Sequence, residues 1–153
     1  FGGVRPHDGW IATPDRAGMR DGDTIETMVA AVEAADAVAD LVFVTIHWGV
    51  ERDLEPRQED VERAEAMVAA GADAIFGHHS HRLNPLTYVG GKPVAWSLGN
   101  FVWPYFSVPS ATTAVARVVV SPDGDVEGCL IPAFIESDGH PVLTGEAPCG
   151  PSD

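Results

Sequence analysis

Four of the six histidines stand at the ends of two short apolar runs, and this placement constrains the fold more than any other feature of the chain. The first run, Leu41 to Ile46, leads into His47-Trp48-Gly49-Val50-Glu51. The second, Asp73 to Phe76, leads into Gly77-His78-His79-Ser80-His81. Between them Val61, Ala64, Met67 and Val68 recur at helical spacing. Strand, helix and strand in that order make a βαβ unit, whose strands are expected to run parallel. Ligands of open α/β sheets bind beyond the carboxyl ends of the strands, where these imidazoles would project. Neutral imidazole is the commonest metal-binding side chain, so the arrangement reads first as half of a metal site.

His79 and His81 are two residues apart, and in an extended segment both rings would point the same way. His47, from the adjacent strand about 5 Å away, would complete three nitrogen ligands. Three nitrogens and an open position suit catalytic zinc, whereas a two-metal centre would also need carboxylates. For a single loop histidine, ordinary polar contacts are the simpler explanation; three converging at strand ends favour ligation. His78 is expected to point away from its neighbour and to be structural or to support a ligand from behind. His7 and His140 lie in loops without partners. Glu51 is a candidate ligand, general acid/base or orienting carboxylate, with a solvent-facing role as the alternative. Asn100 follows Gly99 at the end of another strand, where it would bond substrate or simply complete a turn. The apolar run Phe101 to Phe106 is a candidate pocket wall or interface.

Residues 1–22 read as an irregular lead-in. Asp23 or Thr24 caps a helix with the stripe Ile25, Met28, Val29, Val32, Ala35 and Val38, ending near Asp40. The Leu41–Ile46 strand is apolar nearly throughout, as expected where both faces are covered. Pro56 suits the first turn of the second helix and Gly71 its end, with Arg57, Glu59, Asp60, Glu62, Arg63 and Glu65 forming a solvated face. A hairpin is expected across Gly90-Gly91, and another pair of strands, 112–121 and 126–135, flanks Pro122 to Asp125. Residues 136–153 read as a tail. Cys129 and Cys149 would form a disulfide if the protein is exported and remain free thiols otherwise.

The length of 153 residues suits one domain. The formal charge of −14, with a single lysine, Lys92, would repel a polyanion unless a local patch reversed it, and no basic run is present, so nucleic acid is not an expected partner. No apolar stretch approaches the roughly 18–20 residues that span a bilayer. The chain begins at Phe1, without an initiator Met, and reads as a fragment or processed product.

Taken together, His47-Trp48-Gly49-Val50-Glu51, Gly71-Ala72-Asp73 leading to Gly77-His78-His79-Ser80-His81, and Trp96-Ser97-Leu98-Gly99-Asn100-Phe101 resemble the C-terminal half of the poly-γ-glutamate capsule synthesis protein CapA family. That family is related to the calcineurin-like metallophosphoesterases, and the resemblance covers about residues 23–105. Ser80 stands where proline is usual and Trp96 where tyrosine is common. The resemblance implies an α/β fold, part of a four-layer sandwich with helices outside two packed mixed sheets, over 23–135. It also implies a divalent metal centre of Mn, Fe or Zn in which His47, His79 and His81 match ligand positions, with Glu51 and Asn100 close by. The upstream Asp-x-His, bridging Asp and Asn-His motifs are not in this chain, so a missing N-terminal half or a second chain would have to supply them. A cell-envelope location is implied, with an anionic polyglutamate-like polymer or envelope synthesis subunits as partners. Two rivals are a non-catalytic binding module using the same pocket, and an unrelated mononuclear zinc hydrolase.

Overall fold

A computed structural model describes residues 1–4, 8–146 and 149. His7 therefore lies outside the described residues. Helix α1 (Ile25–Asp36) starts where the sequence places it, because the Thr24 hydroxyl accepts the Thr27 N–H at 3.2 Å. It ends earlier than expected, and Val38 is exposed. Strand β1 (Phe43–His47) is followed by α2 (Gln58–Ala69), preceded by Pro56 rather than beginning at it. A Schellman motif ends α2: Gly71 at φ 112° lets its N–H reach Val68 O and the Ala72 N–H reach Met67 O.

β2 (Ala74–His78) then pairs in parallel with β1, with His47 opposite His78. The hairpin β3 (Leu86–Val89) and β4 (Lys92–Ala95) turns through Gly90 and Gly91, both at positive φ, as a two-residue hairpin turn requires. One sheet thus runs β1-β2-β4-β3, with β3 antiparallel at one edge. Phe1 to Val4 are less irregular than the sequence suggests. They lie alongside β1, with His47 N–H donating to Phe1 O and the Gly3 and Val4 N–H groups to His47 O.

After a short helical turn, α3 (Val108–Ala111), strands β5 (Thr112–Val120) and β6 (Val126–Ile135) form the second expected pair. The expected tail contributes a further strand, β7 (Pro141–Leu143), which pairs with β6. The fold is therefore α/β with two sheets, the first mixed and the second antiparallel. The sheets meet at the hairpin, where the Tyr88 hydroxyl donates to Gly128 O at 3.2 Å and accepts the Gly128 N–H at 3.0 Å.

Both long helices cover the same face of the first sheet. Met28 and Val32 of α1 and Ala64 and Met67 of α2 bury against Val44, Ile46, Ile75 and Val94. The opposite face is open: Phe43 is 48% exposed and Thr45 is exposed, so β1 is covered on one face and not on both. The reason is geometric, since β6 leans on the β3–β4 hairpin at the far end of the sheet and leaves β1 bare. One charged residue also departs from expectation. Asp60 is fully buried, its carboxylate accepting from Arg57 Nε and Nη2, each at 2.9 Å, and from Arg63 at 3.3 Å.

Candidate functional site

The site is framed by two stacked tryptophans. Trp48 follows β1 and Trp96 follows β4; their rings lie 5.5 Å apart, and the Trp48 indole N–H donates to Trp96 O at 2.9 Å. Gly77 lies between them. A Cβ there would sit 2.0 Å from Trp96 O and 2.4 Å from Trp48 Nε1, so only glycine admits the bond. This buried frame fixes the loops that leave β1 and β2.

At the mouths of those loops His47 Nε2 and His79 Nδ1 are 3.0 Å apart, within hydrogen-bonding distance. The His81 ring lies 6.3 Å from that of His79 and 5.1 Å from Trp103. His79 and His81 come to this position by a different route from the one expected. β2 ends at His78, and both later histidines sit in a bend with positive φ, 109° and 54°. With Arg52 at 72°, these are the positive-φ residues other than glycine among those described, and all three belong to the two site loops. Such backbone strain persists where surrounding contacts over-determine it and is concentrated at functional sites. The loops are tied together by the Arg52 N–H, which donates to Ser80 O at 2.7 Å.

Burial, then the neighbouring His79, His78 and His81, push the His47 imidazole down to about 4, so it is neutral at pH 7 with a lone pair available. His79 is also lowered, chiefly by burial, with Glu51 opposing and His81 and Arg57 adding to the effect. His78 is lowered by burial and faces a different space, a trough of about 450 Å³ that it lines with Thr45, Phe76 and Phe101. His140 is exposed and pairs with Asp138 in the turn before β7.

Asn100 is buried, and both ends of its amide are engaged. Its Oδ1 accepts from His81 Nδ1 at 2.6 Å and its Nδ2 donates to Ser110 O at 2.9 Å. It therefore fixes the His81 ring with Nε2 as the free acceptor, the way an outer partner orients an imidazole ligand. Glu51 is exposed on the rim of a cavity of about 410 Å³ that His81 and Asn100 also line. Sequence reasoning missed Arg52, Arg82, Ser107 and Ser110 in this cavity; the arginines directly flank Glu51 and His81, and that adjacency was the available signal.

The donors suit a transition metal in kind. Two imidazole nitrogens 3.0 Å apart are near the separation of about 3 Å expected for adjacent ligands on one ion. In number they fall short: among the described residues, no group of three or more His, Cys, Asp or Glu side chains is placed to hold a metal. What the chain presents is a converging pair with a third imidazole alongside.

The model of the family described as bacterial capsule synthesis protein PGA_cap matches residues 4–105. The chain is 39% identical over 95 residues to the PGA biosynthesis protein CapA of Bacillus subtilis (strain 168), a match covering 62% of this chain and 25% of that protein. It is 32% identical over 136 residues to the capsule biosynthesis protein CapA of Bacillus anthracis, covering 87% and 33%. It is 32% identical over 104 residues to a Mycobacterium tuberculosis (strain H37Rv) protein described as a probable polyglutamine synthesis accessory protein, covering 64% and 27%. The chain thus spans about a quarter to a third of these relatives.

Proposed function

Since this chain belongs to the bacterial capsule synthesis protein family PGA_cap, we propose that it is part of an accessory protein for making or exporting a glutamate polymer at the cell envelope. The observation that carries a site-level reading is the 3.0 Å approach of His47 and His79 at the carboxyl ends of two parallel strands, with the His81 ring, 6.3 Å from that of His79, lining a cavity walled by Trp103 and Phe106. His47, His79 and His81 are the ligands this chain would offer to a divalent ion, Mn, Fe or Zn. The remaining donors would come from a preceding half of the protein or from a second chain. When bound, such an ion supplies Lewis-acid polarisation of an amide or phosphoryl oxygen. Glu51 is placed to exchange a proton at the cavity rim, and Asn100 to hold His81 in one tautomer. The open face of the first sheet is where the further sheet of a four-layer sandwich would pack. No helix among the described residues is long and apolar enough to cross a membrane, so attachment would use another segment or a partner.

A non-catalytic polymer-binding module is the second reading, favoured by the incomplete donor set. Isothermal titration with Mn²⁺ and Zn²⁺ tests the metal. At most one weakly bound ion per chain is expected, lost in His79→Ala and retained in His140→Ala. Two tight sites, or binding that survives without His79, would show the ligands to be misplaced. Turnover of a chromogenic phosphodiester or of polyglutamate with added Mn²⁺, abolished in His79→Ala, separates hydrolase from binding module.

A further inference from the structure

We propose that Arg52 and Arg82 form an oxyanion-binding subsite beside His81, taking the pendant carboxylates of the polymer. The inference rests on the polymer reading above and adds to it the residues that recognise the chain. It begins from a conflict of charge: a protein of formal charge −14 repels a polyglutamate as it would any polyanion. Binding therefore requires a place where the sign is locally reversed.

The cavity is such a place. Among the described residues, Arg57, Arg63 and Lys92 are each paired with a carboxylate. Arg52 and Arg82 have no such partner, and both line the cavity, against the single carboxylate of Glu51. Arg82 is half-buried and spends one N–H on His81 O at 2.6 Å, which fixes the guanidinium beside the site and leaves further donors for a ligand. Arg52 is held differently. Its backbone is pinned to Ser80 O in a φ of 72° that glycine would adopt without strain, yet the position carries a long cationic side chain. Trp103 and Phe106 supply an apolar wall for the methylene stems between carboxylates. Guanidinium forks match carboxylates and phosphates through paired N–H donors, and the apolar wall for methylene stems favours a carboxylate chain.

The test is fluorescence anisotropy of labelled poly-γ-glutamate, titrated with the 153-residue chain in EDTA at low salt. EDTA separates this inference from the metal, since binding through arginines persists without any ion. Wild type is expected to bind, with affinity falling as salt rises. Arg52→Gly should weaken binding about tenfold, and Arg52→Gly with Arg82→Ala should abolish it. Arg117→Ala, an exposed cation on β5 outside the cavity, should bind as wild type does. A purely structural Arg52 would lower the melting temperature when replaced, whereas here Arg52→Gly should leave it unchanged or raise it while binding falls. Equal binding by wild type and the double variant would overturn the subsite and leave the polymer reading intact. No binding by wild type would overturn both. Inorganic phosphate competing better than glutamate oligomers, mole for mole, would overturn the carboxylate assignment in favour of phosphate.

Discussion

His79 occupies φ 109°, where the Cβ of an L-residue is crowded and glycine is not. A comparison of two variants isolates that strain from every contact of the ring. His79→Ala and His79→Gly both delete the imidazole and its approach to His47. Ordinarily glycine is the less stable choice, because it frees the unfolded chain. At this φ the order should invert, with His79→Gly more stable than His79→Ala by about 1 kcal/mol, read from urea midpoints at unchanged slope. Alanine being the more stable of the two would mean that the bend relaxes once the ring is gone, and that the strain is not imposed by the loop. The sequence pointed to His47, His79 and His81 because imidazoles at strand ends are a chemical signal independent of backbone detail. It could not foresee how His79 and His81 are aimed, since an assumed extended segment and the actual bend both bring the rings toward His47. Nor could it separate Arg52 and Arg82 from solvated arginines, because the absence of an acidic partner is a property of the folded neighbourhood.

At the scale of elements, the joins between β1, β2 and β4 hang on one carboxylate. Asp73, just before β2, accepts the Val42 N–H at 2.8 Å and the Lys92 ammonium at 2.8 Å, so it ties the entries to β1 and β4 together. Burial pushes its carboxyl up, but the Lys92 hydrogen bond and charge and the Val42 N–H outweigh that, leaving it below the ordinary range. A depressed carboxylate contributes stability that is present above the unfolded pKa and is lost as pH falls through the folded one. Wild type should therefore exceed Asp73→Asn by about 1 kcal/mol near pH 7, a modest figure because Lys92 is partly solvated, and the gap should close below about pH 4. Thermal melts of both proteins across pH 3 to 7 check it; a gap constant with pH would mean that the ionised carboxylate is not its source. Elements with local punctuation were legible from residues alone: Thr24 at the start of α1, Gly71 at the end of α2, Gly90-Gly91 in the hairpin. Asp60 was not, because a charged residue at helical spacing reads as solvated until two arginines are seen to enclose it. β7 was missed for a similar reason, since three residues beginning with Pro141 carry too little pattern against the Gly- and Pro-rich sequence around them.

At the scale of the whole molecule, the two sheets differ in what holds them. The first has α1 and α2 packed over one face and the tryptophan pair at its carboxyl end. The second is three antiparallel strands with no helix of comparable length against them among the described residues, joined to the first through Tyr88 and Gly128 and through Thr113, whose hydroxyl donates to Leu98 O at 2.8 Å. It compensates with a covalent link. Cys129 in β6 is bonded to Cys149, 20 residues on, which brings the chain after β7 back beside Arg117 of β5. The sequence offered the pairing only as conditional on export, since two cysteines state a possibility and the fold decides whether they meet. Closing a loop of that length removes unfolded-state freedom worth about 3 kcal/mol. Reduction, or Cys129→Ser with Cys149→Ser, should therefore lower stability by about that amount, and the loss should be local. Amide hydrogen exchange should quicken across 112–143 while β1 and β2, which position His47 and lead into His79, stay protected. Thiol titration of unreduced, unfolded protein should find no free cysteine. Two reactive thiols would remove the bridge, and uniform loss of protection across both sheets on reduction would show that the molecule unfolds as one unit, so that the support of the second sheet reaches the site itself.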